Sequence, residues 1–209
     1  MEKAYTTVEH LPAFSTRPVF LLLSGLPGTG KSYLARRLAE RIPMAVVSND
    51  AVRLALVPLP TYSWRESRRV YAVSHRLIED LLRKGVPTVF DATNLIERFR
   101  GIIYAIAERC DAKLFVVETT APAETILKRL DRRALGEDEL DRSEADLAIY
   151  LKMERTAEPI RRDHLTVDTS QDLGSALDQI VEAISDAIVG ASFSRRTPLQ
   201  EGTTGSGNP

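Results

Sequence analysis

A short segment near the amino terminus, residues 25–32, constrains the fold more than any other part of the chain. It reads Gly-Leu-Pro-Gly-Thr-Gly-Lys-Ser and fits the pattern G-x-x-x-x-G-K-[ST]. A continuous apolar run at residues 19–23 precedes it, and Leu34, Leu38 and Ile42 follow at helical spacing. A buried strand, a glycine-rich turn and an amphipathic helix in this order indicate a loop whose N–H groups converge on one anion.

Lys31 and Ser32 carry the chemistry that a bound nucleoside triphosphate needs. We expect Lys31 to hold the β- and γ-phosphates of ATP and Ser32 to ligate Mg²⁺. The alternative is a glycine-rich turn with a solvated lysine. The strand–turn–helix context argues against that alternative.

Apolar runs alternate with helical patterns along most of the chain. This order predicts an α/β fold in which a five-stranded parallel sheet carries helices on both faces. Ligands bind beyond the carboxyl ends of the strands in such sheets, so the functional residues should follow strands. The predicted strands are at residues 19–23, 44–48, 86–90, 114–117 and 164–167.

Composition places the chain among ordinary globular proteins and excludes several functions. Its 209 residues are 44% hydrophobic and 27% charged, with a net charge of -1, which excludes a strongly basic nucleic-acid coat. One cysteine and three histidines without zinc spacing argue against a disulfide framework and a zinc or haem enzyme. No apolar stretch reaches the ~20 residues of a membrane helix, so we expect a cytoplasmic protein with no obligate protein partner.

The domain organisation follows from where apolar periodicity begins and ends. We expect an N-terminal arm at residues 1–17, one domain at residues 18–190 and a disordered tail at residues 191–209. The tail is rich in Ser, Thr, Gly, Pro and Arg and has little to bury.

Polar residues follow the predicted third strand, in the sequence Asp91-Ala92-Thr93-Asn94. A carboxylate at a strand end beside a phosphate loop is placed to order Mg²⁺ or its water ligands. Thr93 and Asn94 are expected to hydrogen-bond the phosphates or to hold the turn. In the alternative interpretation, Asp91 only caps the next helix.

Asp50 follows the predicted second strand, and Arg53 lies three residues later on one face of a short helix. A carboxylate here can accept the proton of an acceptor hydroxyl, and Arg53 can hold an anionic part of that acceptor. The alternative is a helix-capping aspartate with a solvated arginine, which would be favoured if the phosphate loop were lacking.

The segment from residue 127 to residue 133 is rich in cations. Arg129 and Arg133 are four residues apart, on one helical face. Together with Gly136 and the acidic residues after it, they predict a lid at about residues 124–146 that closes over ATP. The alternative is a solvated helix with internal pairs such as Glu124–Lys128.

These motifs together resemble the P-loop kinases. The resemblance is greatest to the predicted ATP-binding, AAA-type kinases related to the 5′-kinase domain of phage polynucleotide kinase. The zeta-toxin and chloramphenicol phosphotransferase groups are more distant. The similarity covers about residues 18–188 and implies a P-loop NTPase three-layer sandwich with a helical lid.

The resemblance also implies roles for individual residues. Asp50 would be the general base, Arg53 would meet an anion on the acceptor, and Asp91 would be the strand-end carboxylate near Mg²⁺. Lys31, Arg129 and Arg133 would act on the transferred phosphoryl group. Contacts to ATP would come from the loop and its next residue: Gly25, Leu26, Pro27, Gly28, Thr29, Gly30, Lys31, Ser32 and Tyr33.

Departures from the phage enzyme limit what the resemblance implies. Asn49 precedes Asp50 where the phage enzyme has an arginine, and the loop at residues 58–64, where acceptor identity is expected to be set, differs in character. The prediction is therefore a kinase for a small-molecule or polynucleotide hydroxyl. A nucleotide-dependent switch without an acceptor is the alternative, and an AAA-type remodelling ATPase is disfavoured because no small helical domain is evident.

We predict that Lys31→Ala nearly abolishes ATP binding or phosphoryl transfer. The substitution removes the charge that neutralises the β- and γ-phosphates. Nucleotide affinity measured by calorimetry and turnover measured with γ-labelled ATP test this. Values equal to those of the wild type would contradict the predicted role.

Overall fold

The sheet has five parallel strands, as the sequence predicts, in the order β2-β3-β1-β4-β5. The computed structural model describes residues 18–134 and 147–193. The strands are β1 (Val19–Ser24), β2 (Ala45–Ser48), β3 (Thr88–Asp91), β4 (Lys113–Thr120) and β5 (Leu165–Asp168).

Seven helices within the described residues connect and cover these strands. They are α1 (Lys31–Ala39), α2 (Asn49–Leu56), α3 (Trp64–Arg83), α4 (Glu97–Arg109), α5 (Ala123–Ala134), α6 (Leu147–Thr156) and α7 (Gly174–Phe193). Helix α7 thus extends three residues into the predicted tail. The predicted arm, the rest of that tail and residues 135–146 of the predicted lid lie outside the described residues. Among the described helices, none is long and apolar enough to cross a membrane.

Strand β1 lies at the centre of the sheet and explains the apolar run of residues 19–23. Phe20 and Leu22 pack into the core on the side of α3 and α4. Val19, Leu21 and Leu23 pack into the core on the side of α1 and α7. All five side chains are fully buried, because a central parallel strand has helices on both faces.

Serine residues cap the two helices that follow β2. The Ser48 hydroxyl accepts a hydrogen bond from the Ala51 N–H at the start of α2. The Ser63 hydroxyl accepts from the Glu66 N–H at the start of α3. The alternative in which Asp50 caps α2 is wrong, because Ser48 is the cap and the helix already includes Asp50. Asp50 therefore lies in the first helical turn.

A buried arginine joins the loop after β3 to the chain segment after α6. Arg100 is fully buried on α4. Its guanidinium donates to the main-chain oxygens of Asn94, at 2.8 Å, Glu158, at 2.8 Å, and Pro159, at 2.6 Å. It also pairs with Glu97 at 2.6 Å. These bonds hold the end of α6 against the edge of the sheet where the strands end.

We predict that Arg100→Met lowers the free energy of unfolding by about 3 kcal/mol, because it leaves buried carbonyl oxygens without donors. Urea denaturation measures the loss. Arg109→Met is the control, since Arg109 lies on the same helix with half of its side chain exposed. Its effect should stay below about 0.5 kcal/mol. Equal effects of the two substitutions would contradict the proposed tether.

Candidate active site

A cavity of about 370 Å³ opens at the carboxyl ends of β1, β2 and β3. Its wall combines the phosphate loop, the start of α2, the loop after β3 and one face of α6. The lining residues include Lys31 and Ser32, Asp50 and Arg53, Asp91 and Thr93, and Lys152 and Met153. The structure thus brings together residues from three separate predicted motifs, and adds a face of α6 that the sequence did not predict as part of the site.

The glycines of the phosphate loop are required by its backbone and its packing. Gly28 and Gly30 have φ angles of 82° and 81°, in the left-handed region that side chains disfavour. A Cβ atom on Gly28 would lie 2.8 Å from a methyl carbon of Ile126. A Cβ atom on Gly30 would lie 3.0 Å from the Thr169 hydroxyl oxygen. The loop therefore packs directly against α5 and the segment after β5.

Lys31 lies at the start of α1 with 8% of its surface exposed. Its ammonium group donates to the main-chain oxygen of Leu26 at 2.7 Å, which folds the side chain back over the loop. The Thr29 hydroxyl donates to the same oxygen at 2.7 Å. A helix N-terminus, a buried cation and a curled glycine-rich backbone make this end of the cavity suited to phosphate.

Arg129 and Thr169 support the phosphate loop from the β4–β5 side. The Thr169 hydroxyl donates to the Thr29 main-chain oxygen at 2.8 Å. Arg129 donates to that hydroxyl at 2.8 Å, to the Thr169 main-chain oxygen at 2.9 Å and to the Gly28 main-chain oxygen at 3.2 Å. In this structure Arg129 is therefore bonded to the phosphate loop itself, whereas the sequence predicts it on a lid that closes over ATP.

The polar residues at and after the end of β3 have two different positions, some in the cavity lining and one within the turn. Asp91 is buried, lines the cavity and lies beside Ser48 in the sheet register. Thr93 also lines the cavity. Asn94 is 4% exposed, and its amide donates to the Leu23 main-chain oxygen at 2.7 Å. Of the two roles expected for Asn94, the structure therefore supports the one in which its side chain holds the turn. Asn94 is not among the residues that line the cavity.

Asp50 and Arg53 line the cavity from α2. Asp50 is half-buried, and Arg53 is buried and pairs with Glu66 of α3. The Arg53 guanidinium also lies 4.6 Å from the centre of the Tyr62 ring. The predicted solvated arginine is thus wrong as an alternative, because Arg53 is buried in the cavity wall.

Glu66 is held as a carboxylate by three donors. The N–H and the hydroxyl of Thr61 each donate to it at 2.7 Å, and Arg53 pairs with its other oxygen. The Thr61 bonds, with the Arg53 charge, lower the pKa of Glu66 from 4.5 to about 2. Since this pKa is depressed in the folded state, the stabilisation is present above pH 4.5 and is lost as the pH falls towards 2.

Sequence reasoning missed Glu66, which pairs with Arg53, and Tyr71, which lines the cavity. Tyr71 lines the cavity, and burial raises its pKa against the opposing hydrogen bond from Thr93, with the nearby Asp50 charge adding to the rise. A signal for Tyr71 existed, because Ser67, Tyr71 and Ser74 interrupt the apolar pattern of α3 at helical spacing. Glu66 lies three residues after Ser63, which is the ordinary position of a capping-box glutamate, so the sequence contains no sign of its pairing with Arg53.

Some of the residues that are predicted to contact ATP do not line the cavity. Tyr33 is half exposed on α1. Leu26 and Thr29 contribute main-chain and hydroxyl groups that hold the loop in shape. The side chain of Arg133 lies outside the described part of the chain.

A protein-family model described as AAA domain, AAA_33, matches residues 20–160. The chain belongs to this family of P-loop kinases. Membership confirms the resemblance found in the motifs. The AAA_33 match includes the phosphate loop, the Asp50 and Asp91 segments and the helix that carries Arg129.

Individual relatives of this AAA_33 protein are distant in sequence. An L-seryl-tRNA(Sec) kinase from Methanococcus maripaludis is 24% identical over 78% of this chain and 65% of its own length. The chain therefore spans just under two thirds of that kinase. A crystal structure of a putative kinase from Chloroflexus aurantiacus has a TM-score of 0.64 at 20% identity, covering 86% of this chain and all of the other. The Mycobacterium tuberculosis APS kinase has a TM-score of 0.62 at 14% identity, covering 81% and 98% of the two chains. Both solved structures share the fold of the present chain.

We predict that Thr169→Val weakens binding of an ATP analogue about tenfold, a loss of about 1.4 kcal/mol. Valine keeps the shape but removes the hydroxyl that joins Arg129 to the phosphate loop. Calorimetry measures the affinity. Thr166→Val, at an exposed position of β5, is the matched control and should bind as the wild type does. Unchanged affinity in both variants would show that the phosphate loop holds its shape without this support.

Proposed function

We propose that this protein is an ATP-dependent phosphotransferase that moves the γ-phosphoryl group of ATP to an acceptor hydroxyl. The observation that carries this proposal is the shared cavity, which is lined by both the phosphate loop and a separate carboxylate, Asp50. Membership of a P-loop kinase family supports it. The acceptor hydroxyl belongs to a small molecule or to the 5′ end of a nucleic acid, and residues 18–190 form the kinase domain.

The phosphate side of the site binds and orients ATP. Successive N–H groups of the loop and the N-terminus of α1 receive the phosphates, and Lys31 exchanges its bond to the Leu26 oxygen for phosphate oxygens. Oxygen ligands suit Mg²⁺, and Ser32 and Asp91 in the cavity wall are the residues that would hold it. When bound, Mg²⁺ neutralises charge on the phosphates and orients them.

The acceptor side supplies a base and a binding wall. Asp50 lies in the first turn of α2, where the helix N-terminus favours the ionised carboxylate. We propose that it orients the acceptor hydroxyl and takes its proton as the new O–P bond forms, while the bond from the γ-phosphorus to the β–γ bridging oxygen breaks and ADP leaves. Arg53 and Tyr71, in the same wall, position the acceptor. On the other side, Arg129 stabilises the phosphate loop, and closure of the proposed lid excludes water from the transfer.

A nucleotide switch is the competing function. A switch needs the phosphate loop and a metal-binding carboxylate but no acceptor base. The structure has two carboxylates at neighbouring strand ends, and Asp50 lies beside a buried arginine and two tyrosines rather than in open solvent. This arrangement favours an acceptor-binding enzyme.

We predict that Asp50→Asn lowers kcat for transfer by about two to four orders of magnitude, since asparagine cannot take a proton. Affinity for ATP should change less than about threefold, because the phosphate loop is untouched. Single-turnover transfer from γ-labelled ATP to oligonucleotides, nucleosides, sugars and aminoglycosides provides the measurement.

The matched control is Asp80→Asn, which neutralises a carboxylate of α3 that pairs with Arg76 at 3.2 Å. Asp80 is not part of the cavity wall described above, so transfer should be unaffected. If Asp50→Asn transfers phosphate within a factor of two of the wild type, Asp50 has no catalytic role and the switch gains support.

A further inference from the structure

The charge of Arg53 is already neutralised where the acceptor would bind. Its side chain is 7% exposed, and that of its partner Glu66 is 9% exposed. The arginine in the cavity wall is therefore one half of a buried ion pair rather than an uncompensated cation. An incoming anion would have to displace Glu66 from Arg53 or accept a carboxylate as its neighbour.

Displacement of Glu66 is opposed by its other contacts. Thr61 binds the Glu66 carboxylate through both its N–H and its hydroxyl, at 2.7 Å each. These bonds hold the carboxylate against the loop before α3, and they lower its pKa, so they favour its ionised form. Separating a buried ion pair leaves two poorly solvated charges, which is strongly unfavourable.

The hydrogen-bonding groups that remain suit a hydroxyl better than a phosphate. Arg53 lines the cavity, and its guanidinium does not use all of its donors, since Nε is buried without a hydrogen-bond partner. The Ser67 hydroxyl is 3.4 Å from the Arg53 guanidinium and lines the cavity. A hydroxyl group can accept from the Arg53 guanidinium and donate to the Ser67 oxygen at once, whereas a phosphate would meet the negative charge of Asp50 and that of Glu66, which is paired with Arg53.

We propose that Glu66 is a specificity-determining residue which makes this subsite select an uncharged, hydroxyl-rich acceptor, such as a sugar, a polyol or a nucleoside, over its phosphorylated form. This inference rests on the proposed phosphotransferase function. It narrows the expected role of Arg53, which donates a hydrogen bond to a neutral oxygen instead of holding an anion.

The first experiment measures anion binding and requires no acceptor. Inorganic sulfate is titrated calorimetrically into protein saturated with Mg²⁺ and a non-hydrolysable ATP analogue, so that the phosphate loop is occupied. Glu66→Gln frees the Arg53 charge and should bind sulfate at least about tenfold more tightly than the wild type, since nearby unit charges interact by several kcal/mol.

Glu79→Gln is the matched control for this experiment. Glu79 also lies on α3 and pairs with arginines, Arg83 at 2.7 Å and Arg109 at 3.3 Å, away from the cavity. Its substitution should not change sulfate binding.

Arg53→Met gives a test that does not depend on the folding of the glutamine variant. Arg53→Met, with Glu66 in place, should bind sulfate with the same affinity as the wild type, and a tenfold loss would overturn the proposal. Equal sulfate affinities of the wild type and Glu66→Gln would also overturn it.

The second experiment compares transfer to paired acceptors, each an uncharged sugar, polyol or nucleoside beside its monophosphate. Wild type should favour the uncharged member at least about tenfold in kcat/KM, and Glu66→Gln should reduce that ratio at least about tenfold. Transfer mainly to the monophosphates would support the kinase function and overturn the role of Glu66. If no compound in a broad panel accepts phosphate, the kinase function fails, and the sulfate titration alone decides the charge of the subsite.

Discussion

The position of the phosphate loop depends on the burial of strand β1. This strand is hydrogen-bonded to β3 on one side and β4 on the other, and both of its faces are covered by helices. A strand held in this way cannot slide or twist without breaking two ladders and two cores. The backbone that leaves its end therefore starts from a fixed point, which is what a loop needs to present preorganised N–H groups to an anion.

The loop is stabilised mainly through its carbonyl oxygens. Those of Leu26, Gly28 and Thr29 accept bonds from Lys31, Arg129 and Thr169, respectively. Bonds to carbonyls hold the curve of the chain without using the N–H groups that face a ligand. Arg129 is thus part of the support of the phosphate loop, whether or not it also reaches the phosphates.

The sequence alone predicts the fold because the local signals agree with one another. The apolar runs are strands, and the order of strands and helices allows one common arrangement of a parallel sheet. The motif residues Lys31, Asp50 and Asp91 could also be placed together, since all follow strands. The Arg53–Glu66 pair and the buried Arg100 could not be predicted. Each joins residues on separate elements, and a charged side chain in a helical pattern reads as exposed until its partner is known.

The strand order divides the site between two halves of the sheet. The supports of the phosphate loop, including Thr119, Arg129 and Thr169, come from the β4–β5 half, whereas Asp50, Arg53 and Glu66 come from β2 and the helices after it. Groups with no shared contacts have nearly additive effects when they are substituted. The acceptor wall of such a protein can therefore diverge in evolution while the nucleotide wall stays intact, so that a family with one fold and one donor can come to serve chemically different acceptors.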